Sequence, residues 1–176
     1  MVTATIRQTA AAAAGARALS AARAAISTVT DPEIPVLTLD DLGVIRRVEV
    51  AADGAIEVDI TPTYSGCPAM AAMALDLRAA LAGAGFADAR IRTVLVPAWT
   101  TDWMSAEGRR KLAQYGIAPP AAKASRRALF GAEDPLACPR CGSSRTSKIG
   151  EFGSTACKAL WRCEACLEPF DAFKCI

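Results

Sequence analysis

The chain has 176 residues, of which 52% are hydrophobic and 22% charged, and its formal net charge at pH 7 is +2. This length accommodates one ordinary domain, or one compact domain with a small module, and the composition is typical of a globular protein. No apolar run reaches the roughly 18–20 residues of a membrane span, and the absence of histidine excludes Ser–His–Asp and Cys–His nucleophiles and every His-ligated metal site.

The charge is divided unevenly along the chain. Residues 1–104 carry eight basic and eleven acidic residues, whereas residues 105–176 carry twelve basic and seven acidic ones. A basic tail can bind nucleic acid, but here the charges are interspersed and few aromatic residues accompany them. An ordinary solvated surface is therefore favoured, and neither a nucleic acid nor a membrane is expected as a partner.

The first 30 residues contain three arginines, no acidic residue and many alanines. This composition superficially resembles a mitochondrial transit peptide. Residues 10–26 also fit an ordinary surface helix that ends before Asp31-Pro32. We favour the helix, which predicts a cytoplasmic protein.

A β-hairpin is predicted after this helix. Residues 31–35, Asp-Pro-Glu-Ile-Pro, form a stiff loop because two prolines forbid regular structure there. Residues 44–50 then predict a strand, Asp53-Gly54 predict the positive-φ residues of a tight turn, and residues 55–60 return with alternating apolar side chains. This pattern is a strong hairpin signal.

Two further helices and one strand are predicted before residue 118. A helix from Pro68 to about residue 82 has proline in its first turn, and four side chains form its apolar stripe, which we assign to the core: Met70, Met73, Leu77 and Leu81. Residues 91–96 predict a third strand. A short helix follows, with Ser105 as its N-cap and Gly116 at its end.

The last part of the chain contains two C-x-x-C pairs, Cys138/Cys141 and Cys163/Cys166. Each pair can wrap two thiolates around one ion, and the 21 residues between them suit a β-hairpin that unites both pairs in a tetrahedral S₄ site. Such a site suits zinc or a rubredoxin-type iron. We favour structural zinc, because Leu167 stands where a rubredoxin knuckle usually has glycine. So small a module depends on its metal to fold.

The elements together predict an α+β protein. We expect a small α/β sandwich with a β-hairpin and a three-to-four-stranded mixed sheet packed on helices, followed by a small β zinc ribbon. Residues 1–118 are assigned to the first domain with its N-terminal helix. Residues 119–135, which begin with Pro119-Pro120, are assigned to a linker, and residues 136–176 to the ribbon.

Three of the seven cysteines lie outside these pairs. For Cys157 and Cys175, burial as small hydrophobic side chains is favoured over a second thiol site for iron or redox exchange. Cys67 precedes a proline at the predicted start of a helix, where free amides and the helix dipole lower a thiol pKa. A thiolate there can bind metal or hold an iron–sulfur cluster transiently. A small capping residue packed under the loop explains Cys67 equally well.

Three carboxylates lie in loops near proline or tryptophan: Asp31, Glu33 and Asp102. Alone they would be solvated charges. They gain significance only if the fold places them beside Cys67, which the sequence does not establish.

Several segments resemble two known families. The N-terminal part resembles, over about residues 18–119, the SufT-like domain of cytosolic iron–sulfur assembly factors, on four motifs in this order: Asp31-Pro-Glu-Ile-Pro, Asp41-Leu-Gly-Val-Ile, Ser65-Gly-Cys-Pro and Pro97-Ala-Trp-Thr-Thr-Asp-Trp-Met-Ser. Residues 153–163 and 168–175 resemble the PaaD family, also called PaaJ, of aerobic phenylacetate degradation.

The resemblance implies a link to the multicomponent epoxidase that acts on the ring of phenylacetyl-CoA. In that system a di-iron oxygenase is fed by a reductase with flavin and a 2Fe–2S cluster. This chain lacks the histidines of a di-iron bundle, a Gly-rich dinucleotide fingerprint and the cysteine spacing of a plant-type 2Fe–2S site. We therefore expect an accessory component without catalytic activity of its own.

The favoured hypothesis is maturation of an iron–sulfur cluster in a client, the epoxidase or its reductase. By resemblance, Cys67 would hold iron or a cluster transiently, Asp31 and Glu33 would shape its loop, and the ribbon would dock the client. The implied partners are epoxidase subunits or the reductase, the general iron–sulfur assembly machinery and a second copy of the chain. The alternatives are a non-catalytic structural subunit of the epoxidase complex and a rubredoxin-like electron carrier.

Overall fold

The structure, a computed structural model, describes residues 2–120 and 136–174, with side chains from residue 13 onward. Its helices are α1 Val2–Ile26, α2 Met70–Gly83 and α3 Ala106–Tyr115, with a 3₁₀ turn at Thr101–Trp103. Its strands are β1 Ile45–Val50, β2 Ile56–Ile60, β3 Arg90–Thr93, β4 Thr146–Gly150, β5 Lys158–Cys163 and β6 Pro169–Phe173. They form two three-stranded sheets, in the orders β1-β2-β3 and β4-β5-β6, so the α+β prediction is confirmed.

The first sheet and the helices α1 and α2 make the main core. Strand β1 pairs antiparallel with β2, and β2 pairs parallel with β3, so the sheet is mixed. Helix α2 buries Met73, Leu77 and Leu81, as its stripe predicts, while Met70 packs against the core at its edge. Each fully buried leucine or isoleucine of this core contributes about 1.5–3 kcal/mol relative to an exposed one.

The turn of the hairpin differs in type from the prediction. The Ala51 N–H donates to the Ala55 carbonyl over 2.8 Å, and the Gly54 N–H donates to the Ala51 carbonyl over 2.9 Å. Gly54 has φ +88° and Asp53 does not share this conformation. This is a three-residue loop with glycine in the left-handed position, not a two-residue turn with two positive φ values.

Two element boundaries also differ from the sequence-based prediction. Helix α1 begins at Val2 and not near residue 10, although five of residues 2–9 are β-branched and have a lower helix propensity than the alanines that follow. Strand β3 ends at Thr93 and not at residue 96. The next amide, of Val94, donates to the carbonyl of Ile60 over 2.8 Å, and Ile60 is the last residue of the partner strand, so pairing cannot continue.

Helix α3 follows the prediction closely, and Asp41 joins it to the loop before β1. The Ser105 hydroxyl caps α3 by accepting from the Gly108 N–H over 2.8 Å and donates to Asp41 Oδ1 over 2.9 Å. Lys111 Nζ lies 2.6 Å from Asp41 Oδ2. Burial alone would raise the pKa of Asp41, but hydrogen bonds, led by that from Lys111, outweigh burial and lower it. A Cβ at Gly43, whose φ is +67°, would clash with the backbone of Trp103. The motif Asp41-Leu-Gly43 therefore provides both the contacts to α3 and the close approach to Trp103.

The second sheet forms the C-terminal ribbon, residues 136–174. The hairpin predicted between the two cysteine pairs is present as β4 and β5, with Gly150 at the end of β4 and Gly153 in the connecting loop. Strand β6 pairs antiparallel with β5 and adds a third strand that the sequence does not predict.

The ribbon docks on the N-terminal domain through β6. The Ala118 N–H donates to the Asp171 carbonyl over 2.8 Å, and the Phe173 N–H donates to the Ala118 carbonyl over 2.9 Å. The ring of Phe173 lies 5.9 Å from that of Trp99, centroid to centroid, and Cys157 and Phe173 are buried in the N-terminal core. The two parts therefore share one interface.

Residues 121–135, which hold nearly all of the predicted linker, lie outside the described part of the chain. Among the residues that are described, no helix combines the length and the hydropathy required to cross a bilayer.

Candidate functional site

Four thiols converge at one end of the ribbon. The sulfur atoms of Cys138, Cys141, Cys163 and Cys166 all lie within 4.8 Å of one another. Cys138 Sγ is 3.8 Å from Cys166 Sγ, and Cys141 Sγ is 3.5 Å from Cys163 Sγ. A tetrahedral ion with metal–sulfur bonds of about 2.3 Å requires sulfur atoms about 3.8 Å apart. The donor set therefore fits a single S₄-bound ion of the zinc type.

The backbone of both knuckles is shaped for this convergence. Gly142 (φ +75°) turns the first knuckle, and Leu167 (φ +65°) turns the second. Residues other than glycine rarely adopt this left-handed conformation. The amides of Cys166 and Ala165 point at the sulfur of Cys163 and lower its pKa to about 6. A thiolate is thus available where a cation can neutralise it. Four sulfur ligands leave no open coordination position, which is typical of a structural site.

The loop containing Cys67 lies in the N-terminal domain. The Cys67 N–H donates to the Tyr64 carbonyl over 3.1 Å, and its half-buried side chain packs against the N-terminal core. Asp31 is buried, and its Oδ1 accepts from the amides of Glu33 and Ile34, both over 2.7 Å. Asp31 therefore holds the turn that presents Glu33.

The ionisation of Cys67 differs from the prediction. Burial raises its pKa, the Ala69 amide opposes this by a hydrogen bond, and the charges of Glu33, Asp31 and Cys157 raise the pKa further. Helix α2 begins only at Met70, so the thiol lies before its first turn. The expectation that the helix lowers this pKa is wrong, because burial and nearby negative charge outweigh the hydrogen bond of the Ala69 amide.

The raised pKa predicts slow alkylation of Cys67 at neutral pH. Because the protonated form is favoured, less thiolate is present at pH 7 than for a cysteine with the usual pKa of 9.0, and the thiolate is the reactive species. The rate with iodoacetamide, followed by mass spectrometry of the Cys67 peptide, should continue to rise above pH 9. A rate that levels off below pH 8 would contradict the assigned environment.

Cys157 comes from the ribbon yet belongs to the N-terminal core. It is 6% exposed, as its favoured interpretation predicts, and its sulfur lies 3.0 Å from the Thr155 hydroxyl. Burial raises the pKa of this thiol as well. Asp102 is exposed in the 3₁₀ turn, and Cys175 lies outside the described residues.

Sequence reasoning did not single out Tyr64 or Thr155. Burial raises the pKa of Tyr64, and the charges of Cys67, Glu33 and Cys157 raise it further. Its position three residues before Cys67 is the one local signal for it. Thr155 becomes identifiable only once the ribbon is seen to dock.

Two family models match the chain in succession. One, described as "Iron-sulfur cluster assembly protein", matches residues 19–92. The other, described as "PaaD zinc beta ribbon domain", matches residues 122–174. The first range includes Cys67 with Asp31 and Glu33, and the second includes the four converging thiols.

Two similar proteins each cover about half of the chain. The solved structure of a domain of unknown function, DUF59, from Bacillus anthracis has a TM-score of 0.53 at 21% identity, covering 57% of this chain and 96% of that one, which shows the fold of the N-terminal part. The "Fe-S protein maturation auxiliary factor" of Porphyromonas gingivalis (strain ATCC BAA-308 / W83) is 39% identical over 88 residues, 49% of this chain and 83% of the relative.

A relative from Escherichia coli (strain K12) matches over both domains. It is named as a putative subunit of 1,2-phenylacetyl-CoA epoxidase and is 49% identical over 153 residues, which is 87% of this chain and 90% of the relative. A match of this length includes residues of both the cluster-assembly part and the ribbon. We conclude that the chain belongs to the PaaD family.

Proposed function

We propose that this chain is an accessory factor that helps to insert an iron–sulfur cluster into the phenylacetyl-CoA epoxidase or its reductase. The observation that carries the proposal is the setting of Cys67, a half-buried thiol beside Glu33 on a loop held by Asp31, in a segment that matches a cluster-assembly family. The names of the two relatives support the role and the client: one is named as an iron–sulfur maturation factor and the other as a component of the epoxidase.

The chemistry divides between the two thiol sites. The four ribbon cysteines form a closed donor set suited to structural zinc, with Cys138, Cys141, Cys163 and Cys166 as ligands. Cys67 is a single half-buried thiol outside that closed set, which suits an ion or cluster that must leave again. Its raised pKa keeps it protonated at rest, and a bound iron ion would release that proton.

The test measures iron and labile sulfide in the epoxidase reductase, purified anaerobically from cells with and without this chain. We expect a cluster-poor reductase only when the chain is absent. Cells that carry Cys67→Ser should resemble cells without the chain, while the zinc content of the variant stays unchanged. A reductase that carries its full cluster in all three strains would show that the reductase is not a client of this chain.

A second candidate function is that of a non-catalytic subunit of the epoxidase, favoured by the word "subunit" in the name of the E. coli relative. This alternative predicts a stoichiometric complex that co-purifies and loses activity when the chain is stripped from it after assembly. A maturation factor can be removed from the assembled enzyme without loss of activity.

A further inference from the structure

Strand β3 has an open side. Its one partner in the described part of the chain is β2, with Val58 opposite Ile91 and Ile60 opposite Thr93. The Val94 N–H donates to the Ile60 carbonyl, and successive residues of a strand point their backbone groups to opposite sides. The N–H and C=O groups of Ile91 and Thr93 therefore point away from β2, toward the open side of the sheet.

The two faces of β3 differ in chemistry. Ile91 packs against the N-terminal core, so Arg90 and Arg92 lie on the opposite face. Arg90 Nη1 is 3.1 Å from Glu57 Oε1, and Arg92 Nε is 2.9 Å from Asp59 Oδ1. The arginine side chains are 48% and 47% exposed, whereas those of Glu57 and Asp59 are only 16% and 10% exposed. The arginines thus cover the carboxylates, and the outer face of β3 presents positive charge.

The segments after β2 and β3 leave the sheet at the same end, because the two strands are parallel. The segment after β2 contains Cys67. The segment after β3 contains Leu95 and Val96, which are 58% and 86% exposed. An open strand edge that continues into exposed apolar side chains offers a partner both backbone and side-chain contacts.

We infer that β3 is the docking edge for a client protein, which adds an extended segment to this sheet as a fourth strand. The segment pairs with the outward backbone groups of Ile91 and Thr93. Its side chains alternate between acidic residues, which face Arg90 and Arg92, and apolar residues on the side of Ile91. Docking there brings the client to the end of the sheet from which the loop of Cys67 leaves. That this partner receives a cluster rests on the proposed function.

The charge of β3 disfavours a second copy of the chain as the occupant. If two copies paired antiparallel through β3 and continued one sheet, residues of the same face would lie opposite each other. The outer face of β3 carries Arg90 and Arg92, so each flush register sets arginine against arginine. Like charges directly opposite each other destabilise strand pairing, whereas an acidic strand forms opposite-charge pairs with the same side chains.

The first test is amide hydrogen exchange, measured residue by residue on the zinc-loaded full chain. The probes are the cluster-free epoxidase reductase and the epoxidase itself. In the chain alone, the amides of Arg92 and Val94 should exchange slowly and those of Ile91 and Thr93 fast. Binding of a probe should slow Ile91 and Thr93 at least about tenfold, because a paired amide exchanges only when the pairing opens.

Two outcomes of this measurement would overturn the docking edge. One is a complex in which Ile91 and Thr93 still exchange fast, or no complex with either probe. The other is slow exchange of both amides in the chain alone at high concentration, which would assign the edge to a second copy.

Thr93→Pro tests the backbone of the edge. Proline removes an N–H that points outward, and it is tolerated on an edge strand when that side faces solvent. We expect the affinity for the probe to fall about tenfold, since one hydrogen bond is lost and the ring obstructs the added strand. Thr93→Val is the matched control, because it keeps the N–H and the β-branched shape. Equal affinity of the two variants, both with normal circular dichroism and zinc content, would contradict strand addition.

Arg90→Gln tests the predicted acidic character of the client segment. Loss of this exposed charge should weaken binding about twofold to fivefold, and Arg90→Lys should restore most of the affinity. Binding that is unchanged or tighter in Arg90→Gln would contradict an acidic partner.

The docking edge and the proposed function fail separately. A reductase that needs the chain for its cluster, and is loaded equally well by Thr93→Pro, supports the maturation role and overturns the docking edge. Protection of Ile91 and Thr93 by a reductase that is fully loaded in cells without the chain supports the edge and contradicts the maturation role.

Discussion

Removing the metal from the four-thiol site is expected to unfold the cysteine-bearing end of the ribbon and to leave the N-terminal domain folded. The core at that end contains few apolar side chains. Besides Cys138 and Cys163, its buried members are Ala118, Ala159, Trp161, Phe170 and Ala172. Structural zinc contributes about 10–16 kcal/mol to the folding free energy of small domains of this kind. The burial of these few side chains cannot replace a contribution of that size.

The measurement is zinc content together with tryptophan fluorescence and far-ultraviolet circular dichroism, before and after a strong chelator. A fluorescence change reports on Trp161, because the other two tryptophans, Trp99 and Trp103, lie in the N-terminal domain. The Trp161 signal should change greatly, and the helical signal of α1 and α2 should persist. Cys163→Ser should reproduce the chelated state. Cys67→Ser, which removes a thiol outside the site, is the matched control and should keep its zinc.

A ribbon that keeps its β-sheet and its Trp161 environment without metal would contradict this prediction. The same sample identifies the ion, because an Fe(III)–thiolate protein is red and a zinc protein is colourless. A red protein that cycles between oxidation states would favour the electron carrier over structural zinc.

The features predicted correctly from the sequence are those encoded locally. The C-x-x-C spacing places two sulfurs on one tight knuckle, so the convergence of four thiols follows from two short motifs. The Ser105 side chain caps the start of α3, and Gly116 ends the helix in the left-handed conformation. The stripe of α2 repeats at helical spacing, and the structure buries it accordingly.

The missed features depend on contacts between residues far apart in the chain. No local signal shows that Phe173 packs on Trp99 or that Ala118 pairs with β6. The burial of Cys157 in the N-terminal core follows from that docking, so it too is hidden from the sequence. The predicted direction of the Cys67 pKa is wrong for the same reason, since burial and the charge of Glu33 come from the tertiary fold.

Replacing Trp99 by alanine is expected to lower the free energy of unfolding by about 3–5 kcal/mol, the usual cost of truncating a buried large aromatic side chain. Trp99 is 3% exposed, its Nε1–H donates to the Leu42 carbonyl over 2.8 Å, and its ring lies against that of Phe173. Trp99→Phe should cost less, because it keeps a ring and loses mainly this hydrogen bond, worth about 1–3 kcal/mol when a buried acceptor is left unpaired. Urea unfolding followed by circular dichroism measures both changes.

A double-mutant cycle separates the role of Trp99 in its own domain from its role at the interface. If the rings hold the ribbon in place, Trp99→Leu and Phe173→Leu should couple by about 0.5–1.5 kcal/mol, the value of an aromatic pair beyond its buried area. Additive effects would mean that the pairing of β6 with Ala118 alone docks the ribbon. With coupling, Trp99→Leu should also speed the alkylation of Cys157, because that thiol is buried only while the two domains stay together.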